Sequence, residues 1–188
     1  TYHAPLKPGS FIGDIMDNTH KIIAINEISA KLAAVRQGKI VVFTNGCFDI
    51  LHKGHVDYLQ KARALGDFLC LGLNSDSSIK QIKGEKRPIV PQNERAFVLA
   101  GLACIDFVVI FDEPDPYNLL KLAKPDILVK GADWSKDKII GADLVESYGG
   151  RVELMPLVKG RSSTNILETN TVRYCKCCCP ILTSSAFH

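Results

Sequence analysis

The chain has 188 residues, 46% of them hydrophobic and 23% charged, proportions that fit a soluble globular protein and exclude a disordered or collagen-like one. That length supports one core-forming domain with short extensions, stable without disulfides or a structural metal. The net charge of +3 is too small to point to nucleic acid and agrees with an anionic small substrate.

No run of 18 apolar residues is present, so no transmembrane helix and no membrane partner are expected. The first residues, 1–19, lack a basic segment followed by an apolar stretch and do not read as a secretory signal. Cys47, Cys70 and Cys104 sit singly in apolar stretches and read as small buried hydrophobes, whereas Cys175, Cys177, Cys178 and Cys179 crowd near the end. An odd total of seven argues against a disulfide framework, and a reducing, cytoplasmic location is expected.

Three textures divide the chain. Residues 1–20 form an aperiodic extension, 21–168 alternate apolar runs with helical patterns, and 169–188 form an irregular tail. Ile25, Ile28, Leu32 and Val35 share one helix face, with a stop near Gly38. A buried strand follows at 40–44, then a polar loop, 45–54. Next comes a helix carrying Val56, Leu59, Ala62 and Leu65 and closed by Gly66. Residues 68–73 predict a second strand. Residues 80–95 read as a basic loop, and 91–103 as a helix with Pro91 in its first turn. Strands at 107–111, 127–130 and 151–154 and helices near 117–123 and 141–148 complete the pattern. The alternation predicts an α/β fold, a five-stranded parallel sheet of Rossmann-like form with helices on both faces. Ligands of such sheets bind beyond the carboxyl ends of the strands, where strand order reverses.

Four segments at those positions carry chemistry. The first loop ends in His52-Lys53-Gly54-His55 at a helix start, where backbone N–H groups and the helix dipole attract phosphate. Two imidazoles three residues apart can both donate to a phosphoryl oxygen as its charge grows. Gly46 and Gly54 permit close backbone approach. The competing readings are a zinc pair, which no neighbouring ligand pattern completes, and a pair of structural histidines. Arg161 with Ser162, Ser163 and Thr164, after the last strand, combines a forked cation with hydroxyl and backbone donors; alone, the serines would be an ordinary helix cap. Lys130-Gly131-Ala132-Asp133-Trp134 offers Asp133 for a ribose hydroxyl or base amino group, against the plainer reading of a turn with a packed aromatic. Within the basic loop, Gly84 and Pro88 mark a flexible crossing able to close over polyphosphate, and Lys83 and Arg95 stand out over Lys86 and Arg87 as polyphosphate or substrate contacts; most charged loops are merely solvated.

Gly46-Cys47-Phe48-Asp49 with His52-x-Gly54-His55, then Gly131-x-Asp133-Trp134, then Arg161 to Thr164 appear in this order. Together they resemble the cytidylyltransferase-like nucleotidyltransferase superfamily over roughly residues 39–168. Within it, residues 43–52, 74–76, 83–88, 128–131 and 163–166 are similar to bacterial heptose 1-phosphate adenylyltransferases. Glycerol 3-phosphate cytidylyltransferases share the outline.

The resemblance implies in-line attack of a sugar 1-phosphate on the α-phosphate of ATP, with pyrophosphate leaving and Mg2+ entering with ATP, without assigned protein ligands. It implies catalytic roles for His52, His55, Lys53 and Arg161. Gly46, Cys47, Phe48, Gly54, Asp133, Ser162, Ser163 and Thr164 would bind nucleotide. Asp49, Lys83, Arg95 and Trp134 would contact substrate, with Asp49 organising either magnesium or Lys53. A homodimer is expected, and no kinase domain accompanies the motifs, so a stand-alone transferase is expected. The alternatives are a cytidylyltransferase acting on an alcohol phosphate, a non-catalytic nucleotide-binding module, and a metal-binding protein centred on the terminal cysteines.

Overall fold

Apolar runs rich in β-branched and aromatic residues build a six-stranded sheet in the computed structural model, which describes residues 17–132, 134–135 and 138–156. The strands are β1 (Ile22–Ile23), β2 (Val41–Gly46), β3 (Phe68–Asn74), β4 (Phe107–Phe111), β5 (Ile127–Gly131) and β6 (Arg151–Met155). Their order is β1-β4-β3-β2-β5-β6, and every neighbouring pair is parallel. The helices are α1 (Ile28–Val35), α2 (Lys53–Arg63), α3 (Asp76–Lys83), α4 (Gln92–Ala100), α5 (Tyr117–Ala123) and α6 (Ala142–Ser147).

Period-two alternation sends the strands' side chains to two cores. Val42, Leu69, Leu71, Leu73 and Val108 pack against Leu59 of α2 and Leu99 of α4. Val41, Phe43, Cys70, Val109 and Leu128 pack against Leu32 of α1, Leu119 of α5 and Val145 of α6. Burial on both faces explains why the central strands read as continuous apolar runs. Three aspartates set the strand entries: Asp67 accepts from Ile40 N, Asp106 from Leu69 N and Asp126 from Val41 N, each at 2.8 Å.

Strand order reverses between β2 and β5. From β2 the chain steps outward through β3 and β4, then returns to lay β5 and β6 on the other side. This is the switch point where ligands of such sheets bind. Buried Tyr58 fixes α2 beside it: its hydroxyl pairs with Thr44 Oγ1 at 2.7 Å and donates to Val129 O at 3.1 Å.

The structure corrects several expectations. The sheet has six strands, because the two-residue β1 pairs with β4 through Ile22 and Ile23. The first helix is shorter than expected, since Ile25–Glu27 is a 3-10 turn. Part of the supposed basic loop is helix α3, with Ser75 as N-cap accepting from Ser78 N. Pro91 stands at the N-cap of α4, one residue before the helix. Of the three scattered cysteines only Cys70 is buried, and Cys47 and Cys104 are partly exposed.

Candidate active site

The loop from β2 to α2 is folded tightly by its own residues. Phe48 adopts φ 44°, a left-handed conformation that a bulky residue holds only when its surroundings impose it. Its ring lies edge-on to His55, with centroids 5.1 Å apart. It also lies over Gly46, where an added Cβ would fall 2.9 Å from Phe48 Cε2. Gly46 is thus required by the packing of the loop upon itself.

His52 is the N-cap of α2. Its backbone is extended and its Nδ1 accepts from Gly54 N at 3.1 Å. An accepting Nδ1 carries no proton, so the neutral ring bears its hydrogen on Nε2. The His55 ring stacks on it at 3.8 Å with an interplanar angle of 19°. Burial lowers the His55 pKa to about 4, helped by the charges of His52 and Lys83 and opposed by a hydrogen bond to the Ile50 backbone. His55 is therefore neutral near pH 7. Lys83, in the last turn of α3, also faces Cys47: burial pushes the thiol up, and the lysine's charge opposes the shift. Cation-capable groups from two elements thus converge at the start of α2.

A pocket of about 360 Å³ opens beside them over the ends of β2, β3 and β5. Cys47 and Lys83 form one wall, and Asn45 and Lys130 lie at the switch point. Asp115 and Trp134 line the far side, the tryptophan 49% exposed. Lys130 Nζ donates to Asn45 Oδ1, joining the ends of β5 and β2. Burial lowers the Lys130 pKa to about 8, and Asp115 opposes the shift. Sequence reasoning quoted Lys130 but gave it no role; its signal was a lysine ending an otherwise apolar strand, Ile-Leu-Val-Lys-Gly.

Two of the expected substrate contacts are tied into the fold by internal partners. Asp49, 3% exposed, accepts from Ile89 N and Val90 N with Oδ1 and from Arg87 Nε with Oδ2. Its partner is Arg87, in place of the expected Lys53, which is exposed. Arg95, 2% exposed on α4, forms a clasp. Its Nε donates to Val90 O, Nη1 to Cys47 O and Asn74 O, and Nη2 to Asp76 Oδ1, all within 2.7–2.8 Å. Arg95 thereby ties the β2–α2 loop to the ends of β3 and α3. Asp133, Arg161, Ser162, Ser163 and Thr164 lie outside the described residues, as do the terminal cysteines.

A doubly covered parallel sheet, with a histidine-capped helix start and a pocket at its switch point, defines a Rossmann-like nucleotide-binding class. The sequence profile of the cytidylyltransferase-like family matches residues 43–182, and the chain belongs to that family. It is 63% identical over 139 residues to the bifunctional protein HldE of Syntrophotalea carbinolica, covering 74% of this chain and 28% of that protein. With its counterpart from Geobacter sulfurreducens the identity is 58% over 149 residues, covering 79% and 30%. The chain thus spans under a third of the length of these relatives. A solved lipopolysaccharide core biosynthesis protein from Thermoplasma volcanium is 31% identical, with a TM-score of 0.55, covering 66% of this chain and 100% of that one. A pantoate-beta-alanine ligase from Francisella tularensis, at 16% identity and TM-score 0.57, shares the fold.

Proposed function

We propose that this chain transfers AMP from ATP to a heptose 1-phosphate, releasing pyrophosphate and forming ADP-heptose for cell-envelope glycan synthesis. The carrying observation is the stacked His52–His55 pair at the start of α2, crowded by Lys83. The similarity to the HldE proteins and to a lipopolysaccharide core biosynthesis protein supports the heptose assignment. An anionic ligand relieves the crowding: phosphate takes the helix N–H groups, and its charge favours protonated imidazoles. His52 and His55 then stabilise the α-phosphate as it passes through its five-coordinate state, with Lys53 and Lys83 as flanking cations. The backbone of Gly46, Cys47, Phe48 and Gly54 lines the nucleotide. By family resemblance, Asp133 takes the nucleoside, and Arg161, Ser162, Ser163 and Thr164 take the β- and γ-phosphates. Trp134 flanks the acceptor. Most of the rate comes from positioning and charge, with no covalent intermediate.

Magnesium enters this reading with ATP. Among the described residues no group of three or more His, Cys, Asp or Glu could hold a metal, and Asp49 is committed to Arg87 and two backbone amides. In this reading the cation is carried by the polyphosphate, where it would offset phosphate charge. A unit spanning 21–168 with extensions at 1–20 and 169–188, a cytoplasmic location and a homodimer complete the proposal. Phe97 and Val98, 64% and 48% exposed on α4, give an apolar face for the dimer. No helix among the described residues is long and apolar enough to cross a membrane.

The test is pyrophosphate release with magnesium, pairing ATP or CTP with heptose 1-phosphate or glycerol 3-phosphate. Release with ATP and heptose 1-phosphate alone is expected. Release with CTP alone would transfer the chain to the alcohol-phosphate branch, and silence in all four mixtures would overturn the heptose assignment.

A further inference from the structure

The pocket beside the histidines holds polar groups that the phosphate chemistry does not use. Lys130 closes β5 and Asn45 closes β2, so the pair spans the place where strand order reverses. Asp115, in the loop between β4 and α5, faces the same cavity; its Oδ1 accepts from Tyr117 N at 3.0 Å and so is fixed at the start of α5. Among the described residues, the charged groups facing the cavity from the elements around it are Lys130, Asp115 and Lys83. Pro114, Pro116 and Ile139 supply apolar wall between them. Lys83 stands at the side of Cys47 and His55, where a phosphate would lie.

A buried ammonium and a carboxylate facing one cavity present donors and acceptors to the same ligand. That is the recognition a polyhydroxyl ring needs, since each hydroxyl both gives and takes a hydrogen bond. An apolar acceptor would leave the remaining donors of Lys130 and acceptors of Asp115 desolvated and unused. We propose that Lys130, oriented by Asn45, and Asp115 form the hydroxyl-reading wall of the acceptor pocket and select a polyhydroxylated sugar phosphate. This rests on the nucleotidyltransferase reading above. It adds that acceptor choice is made at the β2–β5 switch point, apart from the histidines that serve the nucleotide.

The experiment uses the full chain, with Lys130→Met, Lys130→Arg and Asp115→Asn. Pyrophosphate release is measured while heptose 1-phosphate is varied at saturating MgATP, and the reverse. Lys130→Met and Asp115→Asn should each raise the KM for heptose 1-phosphate by about 10–100-fold, the loss expected for a hydrogen bond to a charged group. The KM for ATP should stay within about twofold. In the unaltered chain, acceptor kcat/KM should fall as pH rises through about 8, and Lys130→Arg, which keeps its charge, should remove that fall. If Lys130→Met does not fold, as judged by circular dichroism, Asp115→Asn and Lys130→Arg decide the matter. Titration calorimetry of heptose 1-phosphate without nucleotide separates the two readings. Binding that is lost in the variants but unaccompanied by turnover would keep this pocket and remove the transfer reaction. Turnover with an unchanged acceptor KM in both Asp115→Asn and the lysine variants would overturn this pocket and keep the reaction. A rise in the KM for ATP alone would also overturn it, and neither binding nor turnover in the unaltered chain would remove both.

Discussion

Replacing Arg95 with Met removes the guanidinium while keeping most of the apolar stem. Three backbone acceptors, Val90 O, Cys47 O and Asn74 O, lose their donor. Each unsatisfied acceptor costs about 1–3 kcal/mol when water cannot reach it. The fourth partner, Asp76, is 37% exposed and can turn to solvent, so its loss adds little. Partial relaxation brings the expected total to about 3–5 kcal/mol, the range for breaking a buried pair from one side. Urea unfolding followed by circular dichroism would report it. With an m-value of roughly 2 kcal/mol/M, the midpoint should fall by about 1.5–2.5 M with m unchanged. Asp76→Asn should cost less than about 1 kcal/mol. A midpoint for Arg95→Met within about 0.5 M of the unaltered chain, or an equal loss in Asp76→Asn, would refute the clasp.

Three further outcomes are expected. His55→Ala should lower turnover by about 10²–10³-fold with the fold retained, and full pyrophosphate release in that variant would remove the histidine mechanism. Asp49→Asn leaves Arg87, itself 12% exposed, facing an amide in place of a carboxylate; thermal and urea unfolding should show a loss of about 3–5 kcal/mol, and a change within about 0.5 kcal/mol would contradict the bracing role. His55 takes its proton near pH 6.5 when unfolded and near 4 when folded, so between those values the unfolded chain binds more protons. Stability from this group is complete above about 6.5 and lost as pH falls toward 4. The shift corresponds to about 3 kcal/mol, reduced to roughly 1–2 by solvent screening of the partly open ring. His55→Gln should flatten that slope in urea titrations at successive pH values, and an unchanged slope would count against the lowered pKa.

The parts of the fold legible in the sequence were those where one force dominates. The strand at 107–111 and the helix at 117–123 match their expected limits because continuous burial and a single apolar stripe leave no competing reading. The two residues of β1 are too few to show any period. Helix α3 was hidden by its charge: Lys80 and Lys83 suggested a solvated loop, although Ser75 before Asp76 is a helix-start signal. The histidine pair was legible because a helix start needs only local spacing. The roles of Arg95 and Asp49 were not, since their partners come from segments 5–48 residues away and converge only when the sheet is built. Lys130 was hidden for the same reason, as its counterpart Asn45 lies 85 residues earlier.

The short first strand has a consequence for solution behaviour. Among the described residues, β4 is flanked on its outer side by β1 alone, through Ile22 opposite Val108 and Ile23 opposite Val109. The strand so flanked reads Phe-Val-Val-Ile-Phe, without charge, glycine or proline, and β1 pairs with its Val108 and Val109. Such a stretch pairs readily with copies of itself once its amide and carbonyl row is uncovered. Two isoleucines therefore guard part of this edge against intermolecular strand stacking, and trimming the chain past residue 24 should raise its light scattering.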